Sequence, residues 1–459
     1  KRPAMGKIAN RYCNKIYLTD DNPRNENPKK IRQSIKKGII KKKLFEISNR
    51  ENAIRQAIKD LLSGEVLVVA GKGHEKIQDY GSYKKKFSDR KYIIKYITKK
   101  NKLLKNDLKL NILNEVSQNQ DIYIKKIGKG SISSKDIKKN DVFFAIKGKN
   151  KDGNKFVNEA FSKGASLAIV NKIIKSKKNS KKIKVDDTLK FLTKTSEIVR
   201  RNFSSKIIAI TGSCGKTSLK ELLKETLNQF GKTTSSPKSF NNKYGVPLSL
   251  FNLNPMHDFG VFEVGMDKKG EINYLSKIIK PDVGIITNIS YAHAKNFKNI
   301  KQIAMAKAEM INNIVTNGTI VLNADDLFFN LHKKIALKKK LKVLTFSINK
   351  KSNIRLKYIK KEKNKFKISI IINKKNKFFY SSTNYKSFIY NLLATITIIS
   401  IFKDPTRLNK NTFQNMNCPT GRGDILKLRL YNKNINLVDE SYNSNPLSLK
   451  FSIEKFDKI

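Results

Sequence analysis

Cysteine is scarce in this 459-residue chain, which contains only Cys13, Cys214 and Cys418. Three cysteines so far apart form neither a disulfide framework nor a metal-binding spacing, and they favour a reducing compartment. Long apolar runs are also missing, because the longest, residues 394–402, is far shorter than the roughly 20 residues that span a bilayer. We therefore expect a cytoplasmic protein without stable membrane insertion.

Acidic residues are few, with 37 Asp and Glu against 96 Lys and Arg and a formal net charge of +59. Such an excess usually indicates a nucleic acid or an anionic membrane as partner. Here lysine is accompanied by abundant asparagine and isoleucine throughout, as in proteins from AT-rich genomes. Arg-rich clusters interleaved with aromatic residues are missing. We therefore predict no nucleic-acid partner, with a catalytically inactive basic binding or scaffold protein as the alternative.

Strand and helix signals alternate along the chain, and its length suggests about three domains at roughly 150 residues each. In the first segment the last of these signals is an apolar run at residues 66–70. The predicted domains are a small α/β unit over 1–98, a Lys- and Asn-rich linker over 99–109, a second α/β domain with a connecting helix over 110–203, a central domain over 204–405 and a last, incomplete domain over 406–459.

The central segment has the clearest pattern. Apolar runs that each end in a polar residue alternate with amphipathic helical stretches; the runs are 207–210, 260–262, 283–286 and 319–322. This rhythm predicts an α/β fold with a doubly wound, mostly parallel sheet. Such sheets bind ligands at the carboxyl ends of their strands, where these polar residues lie.

A glycine-rich motif follows the first of these runs and comprises Gly212, Ser213, Cys214, Gly215, Lys216, Thr217 and Ser218. Between a strand and a helix, its backbone N–H groups can surround a phosphate, and the helix N-terminus adds a favourable dipole. Lys216 would reach the β- and γ-phosphates, and Thr217 would place its hydroxyl on Mg²⁺. Ile210 stands where the usual spacing has glycine, so this is a shortened phosphate loop, with a functionless turn as the alternative.

Other polar residues follow the next strands. Glu263 would direct a carboxylate to the sheet edge, where a hard cation takes carboxylate oxygen, unless it is simply solvated. His293, one of only four histidines, is predicted as a metal ligand, with an ordinary loop histidine as the alternative. Asn323, Asp325 and Asp326 are placed to meet ribose or adenine, although an Asx turn has the same pattern.

Lys307 lies on a predicted helix over residues 300–315 and shares one face with Ile303, Met310 and Ile314. Because that face should be buried, an unpaired ammonium group there would be costly. Lys307 must therefore meet an anion, be chemically neutralised, or extend its side chain to the rim.

Together these motifs resemble the Mur ligases, which build the peptide stem of peptidoglycan. From about residue 110 the chain is similar to the branch that joins D-alanyl-D-alanine to UDP-N-acetylmuramoyl-tripeptide (MurF). The segments that carry this resemblance are 211–217, 239–247, 263–266, 286–289, 306–309, 322–326, 421–422 and 439–446. Another Mur-type amino-acid ligase is the nearest alternative.

The resemblance implies an ATP-dependent ligase whose substrate carboxylate becomes an acyl phosphate. It implies catalytic roles for Lys216, Glu263, His293 and Lys307. The implied Mg²⁺ ligands are Thr217, Glu263, His293 and a carbamylated Lys307. Besides the phosphate loop, Asn288, Asn323, Asp325, Arg422 and Asp439 would bind ATP. The substrate would contact Asn241, Asn242, Tyr442, Asn443 and Asn445.

Residues 1–98 resemble a different branch, namely the C-terminal domain of the ligase that acts one step earlier (MurE). The residues implied to bind diaminopimelate are Arg2, Asp21, Asn22, Pro23, Arg24, Gly71 and Glu75. The Arg24 guanidinium suits the carboxylate that distinguishes diaminopimelate from lysine. With its first residue Lys1, the chain is expected to be a fragment of a longer fusion and to have little activity by itself.

Overall fold

The computed structural model describes residues 1–40, 43–61, 66–117, 124, 127–148, 150–172, 181–254, 256–291, 296–416, 424–431, 433–439, 441, 449–450 and 453. The chain forms two compact units, residues 1–108 and 109–459. In the part of the chain described, no helix has both the length and the apolar character needed to cross a bilayer.

The first unit is a small α/β structure. Its helices and strands are α1 Arg2–Tyr12, β1 Lys15–Leu18, α2 Pro28–Lys36, β2 Lys43–Glu46, α3 Arg50–Asp60, β3 Ile77–Asp79, β4 Lys84–Lys86 and the first part of α4, Asp89–Ser117. β1 pairs with β2 in parallel, and β3 pairs with β4 antiparallel. The side chains of Asn27 and Asn49 cap α2 and α3, as asparagine does at helix N-termini. Ile54, Ile58 and Phe87 form part of its core.

Two segments of this region differ from the expectations. The apolar run at 66–70 forms no strand, and Val66 and Val68 are 86% and 77% exposed. An apolar run stabilises a strand only where a neighbouring strand and a core face accept it. The predicted linker at 99–109 contains the boundary between the two compact units, but it is helical as part of α4, because its many lysine and leucine residues favour a helix.

The second unit begins with a four-stranded parallel sheet in the order β5-β6-β7-β8. Its elements are β5 Gly130–Ser131, β6 Val142–Phe144, α5 Val157–Ser162, β7 Leu167–Val170, β8 Lys182–Lys184 and α6 Thr188–Arg201. Phe143, Val157 and Ala168 pack in its core, and the side chain of Asp187 caps α6. The strands and the connecting helix agree with the sequence pattern.

A nine-stranded sheet with flanking helices forms the centre of this unit, in the order β10-β11-β9-β12-β13-β14-β15-β16-β17. Its elements are β9 Lys206–Thr211, α7 Lys216–Leu227, β10 Thr233–Ser235, α8 Gly245–Phe251, β11 Phe259–Glu263, α9 Glu271–Ile279, β12 Val283–Ile286, α10 Ile300–Ala308, β13 Thr319–Asn323, α11 Phe329–Lys338, β14 Lys342–Ser347, β15 Ile354–Glu362, β16 Lys365–Ile372, β17 Lys375–Ser381 and α12 Lys386–Phe402.

The first seven strands in that order pair in parallel, and β15, β16 and β17 form an antiparallel meander. The predicted doubly wound, mostly parallel sheet is confirmed. Its consecutive apolar runs are buried because helices cover both faces of a parallel sheet. β18 Asp424–Leu430 and β19 Lys433–Asp439 form a separate hairpin, which contains the strand predicted near residue 436.

Candidate active site around the phosphate loop

The glycine-rich motif forms the turn between β9 and α7, as its spacing predicts. Gly212 has φ +149°, and a Cβ atom there would lie 1.9 Å from Thr287 Oγ1. Gly215 has φ +81° and is the N-cap residue of α7. Both positions therefore require glycine, the first for close packing and the second for its left-handed backbone.

The segment after β12 holds this loop in place. The Asn288 side chain accepts a hydrogen bond from Cys214 N at 3.0 Å, and Thr287 Oγ1 donates to Cys214 O at 2.7 Å. Ser213 Oγ donates to Ser290 O at 3.0 Å and accepts from Ser290 N at 2.9 Å. Residues 287–290 therefore hold the phosphate loop in its conformation before any ligand binds.

Two ammonium groups converge on one carbonyl oxygen of the loop. Lys216 Nζ and Lys307 Nζ donate to Gly212 O at 2.9 Å and 3.0 Å. Lys307 is 2% exposed, so its side chain does not extend to the rim. Burial, and then the neighbouring Lys216 charge, place the pKa of Lys307 well below its usual value. An anion at this position would relieve both effects.

Glu263, the last residue of β11, presents a buried carboxylate beside the loop. Thr217 Oγ1 donates to Glu263 Oε2 at 2.8 Å, and Asn241 Nδ2 donates to Glu263 Oε1 at 2.8 Å. The carboxylate is 2% exposed, so the alternative of a solvated strand end is wrong. Its oxygen atoms and the Thr217 hydroxyl are the hard ligands that Mg²⁺ prefers, and they fit a metal at the phosphates.

The asparagine and aspartate residues predicted near this site have different environments. Asn242 Oδ1 accepts from Tyr244 N and Gly245 N, as in an Asx turn before α8. Asn323 Oδ1 accepts from Asp325 N at 3.0 Å, as in an Asx turn. The Asp325 carboxylate accepts from the backbone N–H groups of residues 348–350 and from Tyr390 Oη. Asp325 therefore orders a turn, and its contact with ATP stays a prediction.

Asp326, which is half-buried, and His332, which is buried, each contact a segment of this site. Asp326 accepts from Ile289 N at 2.8 Å, which ties it to the segment that holds the phosphate loop. Burial raises the pKa of Asp326. His332 contacts Ala304 O on α10 at 3.1 Å, and burial lowers its pKa. The bond to Ile289 N fixes the residue next to Asn288. The contact with Ala304 O fixes α10, the helix that carries Lys307.

A small cleft lies beside the phosphate loop, between Cys214, Gly215 and Asn288 on one side and α12 on the other. The α12 side contributes Tyr390 and Asn391 to its lining. The sequence analysis missed these two residues, although an asparagine after a tyrosine inside a mostly apolar helix was a signal. Burial and then Asp325, whose carboxylate accepts the Tyr390 hydroxyl, raise the pKa of Tyr390.

Several predicted residues lie outside the described residues: His293, Arg422, Tyr442, Asn443 and Asn445. Asp439, on β19, accepts a hydrogen bond from Ser441 N at 2.9 Å. Within the described ranges, no three His, Cys, Asp or Glu side chains cluster as a metal site.

In the first unit, several residues predicted to bind diaminopimelate are connected through Lys72. Lys72 Nζ donates to Asn22 Oδ1 at 2.9 Å and to Glu75 Oε2 at 3.2 Å, and Asn22 Nδ2 donates to Glu75 Oε2 at 2.6 Å. A Cβ atom at Gly71, which has φ +115°, would lie 2.9 Å from Asp21 Oδ2. Burial raises the pKa of Asp21.

The two predicted arginines of this unit differ. Arg2 forms an exposed ion pair with Glu26 at 2.7 Å. Arg24, directly after Pro23, is exposed and has φ +50°, and its backbone N donates to Asp79 O at 3.0 Å. Within the described ranges, the Arg24 guanidinium makes no ion pair and is available to a ligand.

Comparison with known proteins agrees with these features. The Mur ligase middle domain matches residues 210–399, and the Mur ligase, glutamate ligase domain matches residues 1–73. The chain is 31% identical over 332 residues to the UDP-N-acetylmuramoyl-tripeptide–D-alanyl-D-alanine ligase of Rickettsia prowazekii, covering 71% of this chain and 72% of that protein. The ligase of the same name from Buchnera aphidicola subsp. Baizongia pistaciae is 33% identical, covering 69% and 68%.

Solved structures show the same fold. MurF from Acinetobacter baumannii superposes with a TM-score of 0.66 at 24% identity over 76% of each chain. MurF ligase from Thermotoga maritima in complex with ADP superposes with a TM-score of 0.61 at 25% identity, over 71% of this chain and 74% of that one.

Proposed function

The chain belongs to the Mur ligase family, and from this premise we propose that it joins D-alanyl-D-alanine to UDP-N-acetylmuramoyl-tripeptide in an ATP-dependent reaction. The observation that carries this proposal is the similarity to ligases of that name over about two thirds of their length. The convergence of Lys216, Lys307, Thr217 and Glu263 on one loop supports it independently.

The proposed reaction has two steps. A carboxylate oxygen of the tripeptide attacks the γ-phosphorus of ATP, the bond from that phosphorus to the β–γ bridging oxygen breaks, and ADP leaves. The amine nitrogen of D-alanyl-D-alanine then attacks the acyl carbon, the bond from carbon to the phosphate oxygen breaks, and the nitrogen loses its proton. Phosphoryl transfer needs positioning and charge stabilisation more than covalent help from the protein.

The residues of the phosphate loop would supply both the positioning and the charge stabilisation. The N–H groups around Gly215 would bind phosphate oxygens, and Lys216 would leave Gly212 O to meet the β- and γ-phosphates. Thr217 would hold one Mg²⁺, and Glu263, His293 and a carbamylated Lys307 are proposed for a second ion. Mg²⁺, when bound, offsets charge on the phosphate oxygens.

Lys307 fits the carbamate proposal chemically. A carbamate forms from the neutral amine, and the lowered pKa of Lys307 increases the neutral fraction at physiological pH. The product would be an anion between Lys216 and the metal, which is the charge that this buried position lacks.

The cleft between the loop and α12 is where we place the base of the nucleotide. Asn288, Tyr390 and Asn391 provide amide and hydroxyl groups, and Phe346 provides an apolar wall. A nucleotide base is a flat ring with hydrogen-bond donors and acceptors on its edge, and it therefore suits a cleft with these polar groups and an apolar wall.

The test uses the purified chain with UDP-N-acetylmuramoyl-tripeptide, ATP and Mg²⁺, and varies the acceptor. With D-alanyl-D-alanine we expect slow ADP release and a ligated product detected by mass spectrometry, in keeping with the little activity expected of this chain by itself. L-Alanine, D-glutamate and diaminopimelate should give no product. A product with one of these would indicate another amino-acid ligase, and salt-sensitive DNA binding without ATP binding would indicate a basic scaffold protein.

For residues 1–98 we propose a MurE-type domain that recognises meso-diaminopimelate. Support comes from the Mur ligase domain match over residues 1–73 and from the exposed Arg24, two residues after Asn22 of the Asn22–Lys72–Glu75 cluster. The remaining predicted members, Arg2, Asp21 and Gly71, would frame the same amino acid.

Ligand-observed NMR on the full chain tests this second proposal. We expect saturation transfer from the chain to meso-diaminopimelate but not to lysine. This transfer should be lost in Arg24→Ala and retained in the control variant Arg90→Ala. Equal signals from lysine and diaminopimelate would contradict the assignment.

A further inference from the structure

Lys220 is a second fully buried lysine near the phosphate loop, and neither the sequence motif nor the proposed reaction uses it. It lies on α7, one turn after Thr217, and is 0% exposed. Its ammonium donates to Ser236 O at 2.8 Å and to Lys238 O, and it pairs with Glu221 Oε1 at 3.0 Å. Burying an ammonium costs several kcal/mol before its partners compensate, so this position serves something that an aliphatic residue would not.

The two carbonyl groups that Lys220 holds belong to the loop after β10. Within this loop Lys238 has φ +46°, a left-handed conformation that a lysine rarely adopts. The bonds from Lys220 to residues 236 and 238 fix the turn on both sides of Pro237. The loop continues directly to Asn241, so its conformation sets where that side chain lies.

Both ends of this loop contact Glu263. Ser236 Oγ accepts a hydrogen bond from Glu263 N at 3.2 Å, and Ser236 is fully buried. At the other end Asn241 Nδ2 donates to Glu263 Oε1 at 2.8 Å, and Asn241 O accepts from Gly265 N at 2.8 Å. The backbone and the carboxylate of Glu263 are therefore positioned by the loop that Lys220 holds.

We propose that Lys220 is a positioning residue for the carboxylate of Glu263, acting through the loop 236–241. It touches neither nucleotide nor metal. Thr217 and Lys220 project from the same side of α7, so one helix supplies a hydroxyl to the carboxylate directly and an ammonium to the loop behind it. The inference rests on the proposed function only in taking Glu263 as the ligand of Mg²⁺.

The first measurement needs no ligand. Hydrogen–deuterium exchange of the metal-free chain should be faster at residues 236–241 and at the Glu263 amide in Lys220→Met than in the wild type. Lys224→Met is the matched control, because Lys224 lies one turn further along α7, is partly exposed, and pairs with the same Glu221. The control should leave exchange at these residues unchanged.

The second measurement separates metal from nucleotide. Binding of ADP is measured without metal and with Mn²⁺, whose binding is followed by electron paramagnetic resonance. We expect Lys220→Met to weaken Mn²⁺ binding in the presence of ADP by about tenfold or more, as for other residues that orient metal ligands. Binding of metal-free ADP should change less than twofold.

The outcomes are distinguishable. A wild-type chain whose ADP binding shows no dependence on metal would contradict the proposed function. Metal dependence in the wild type together with unchanged Mn²⁺ binding and exchange in Lys220→Met would overturn the positioning role alone. If Lys220→Met does not fold, Mn²⁺ binding is measured in Ser236→Ala instead. This variant removes only the hydroxyl that accepts from Glu263 N. Unchanged Mn²⁺ binding in Ser236→Ala would then overturn the proposal.

Discussion

Lys72 in the first unit and Lys307 in the second are buried to the same extent, each 2% exposed, but their ammonium groups have different partners. Lys72 donates to Asn22, Glu75 and Ile77 O. Lys307 donates to Gly212 O, its one hydrogen-bond acceptor among the described residues, and that carbonyl also accepts from Lys216.

The difference teaches how to interpret a buried lysine. A lysine whose donors are satisfied by oxygen atoms and a carboxylate holds a structure together. A lysine with one shared acceptor and a like charge beside it is a place where the folded protein lacks an anion. In a ligase, phosphate oxygens or a carbamate would supply that anion.

Lys216→Ala should have the largest effect, because it removes the charge that would meet the phosphates. We expect turnover of ATP to fall at least a hundredfold with the fold intact. ADP release and the far-ultraviolet circular dichroism spectrum measure the two quantities. Lys224→Ala on the same helix is the control, and unchanged turnover in Lys216→Ala would refute the phosphate loop as the catalytic site.

Lys307→Met tests the comparison itself. We expect ligase activity to be lost while the thermal unfolding temperature stays equal or rises, since a poorly compensated buried charge is replaced by an apolar side chain of similar length. In the wild type, added bicarbonate should raise activity if Lys307 is carbamylated. A clear drop in unfolding temperature would show that Lys307 serves stability, as Lys72 does.

Lys72→Met should behave in the opposite way. Removing this ammonium takes a donor from Ile77 O and from Asn22 Oδ1, which keeps its bond from Asp79 N, and this should lower the free energy of unfolding by about 2 kcal/mol. Denaturant unfolding of the first unit measures the loss, and the D-alanyl-D-alanine reaction should be unaffected. Unchanged stability would remove the distinction between the two lysines.

The smallest effect concerns pH. The folded pKa of Lys307 is lowered, whereas an unfolded lysine has a pKa of about 10.4, so the unfolded state binds more protons between these values. Wild-type stability relative to Lys307→Met should therefore increase as pH rises through this window and stay constant below the folded pKa. If the stability of the wild type relative to Lys307→Met fell with rising pH, this would contradict the lowered pKa of Lys307.

Much of the central domain could be predicted from the sequence because its signals are local. The apolar runs, the glycine positions of the loop and the spacing of Ile303 with Lys307 each act within one element. The helix predicted over 300–315 is α-helical only over Ile300–Ala308, and Met310 lies in the 3-10 helix that follows. The burial of Lys307 followed directly from helical periodicity, and the structure agrees.

The rest depends on contacts between distant residues. Gly212 and Lys307 are 95 positions apart, so their hydrogen bond has no sequence signal. The same holds for Lys220 and its loop, whose carbonyl acceptors are backbone atoms that any sequence supplies. Asp325 matched the pattern of a ligand, but nearby backbone N–H groups occupy its carboxylate. Residues 66–70 are the opposite case. Their apolar pattern predicts a strand, but they form none and pair with no strand.

Oxygen transfer tests the central claim most directly. UDP-N-acetylmuramoyl-tripeptide with ¹⁸O in its terminal carboxylate is incubated with the chain, ATP, Mg²⁺ and D-alanyl-D-alanine, and the released phosphate is examined by mass spectrometry. Attack of the carboxylate on the γ-phosphorus predicts one ¹⁸O atom in each phosphate and one retained in the new amide. Ligation with unlabelled phosphate would contradict the acyl phosphate and the role assigned to the phosphate loop.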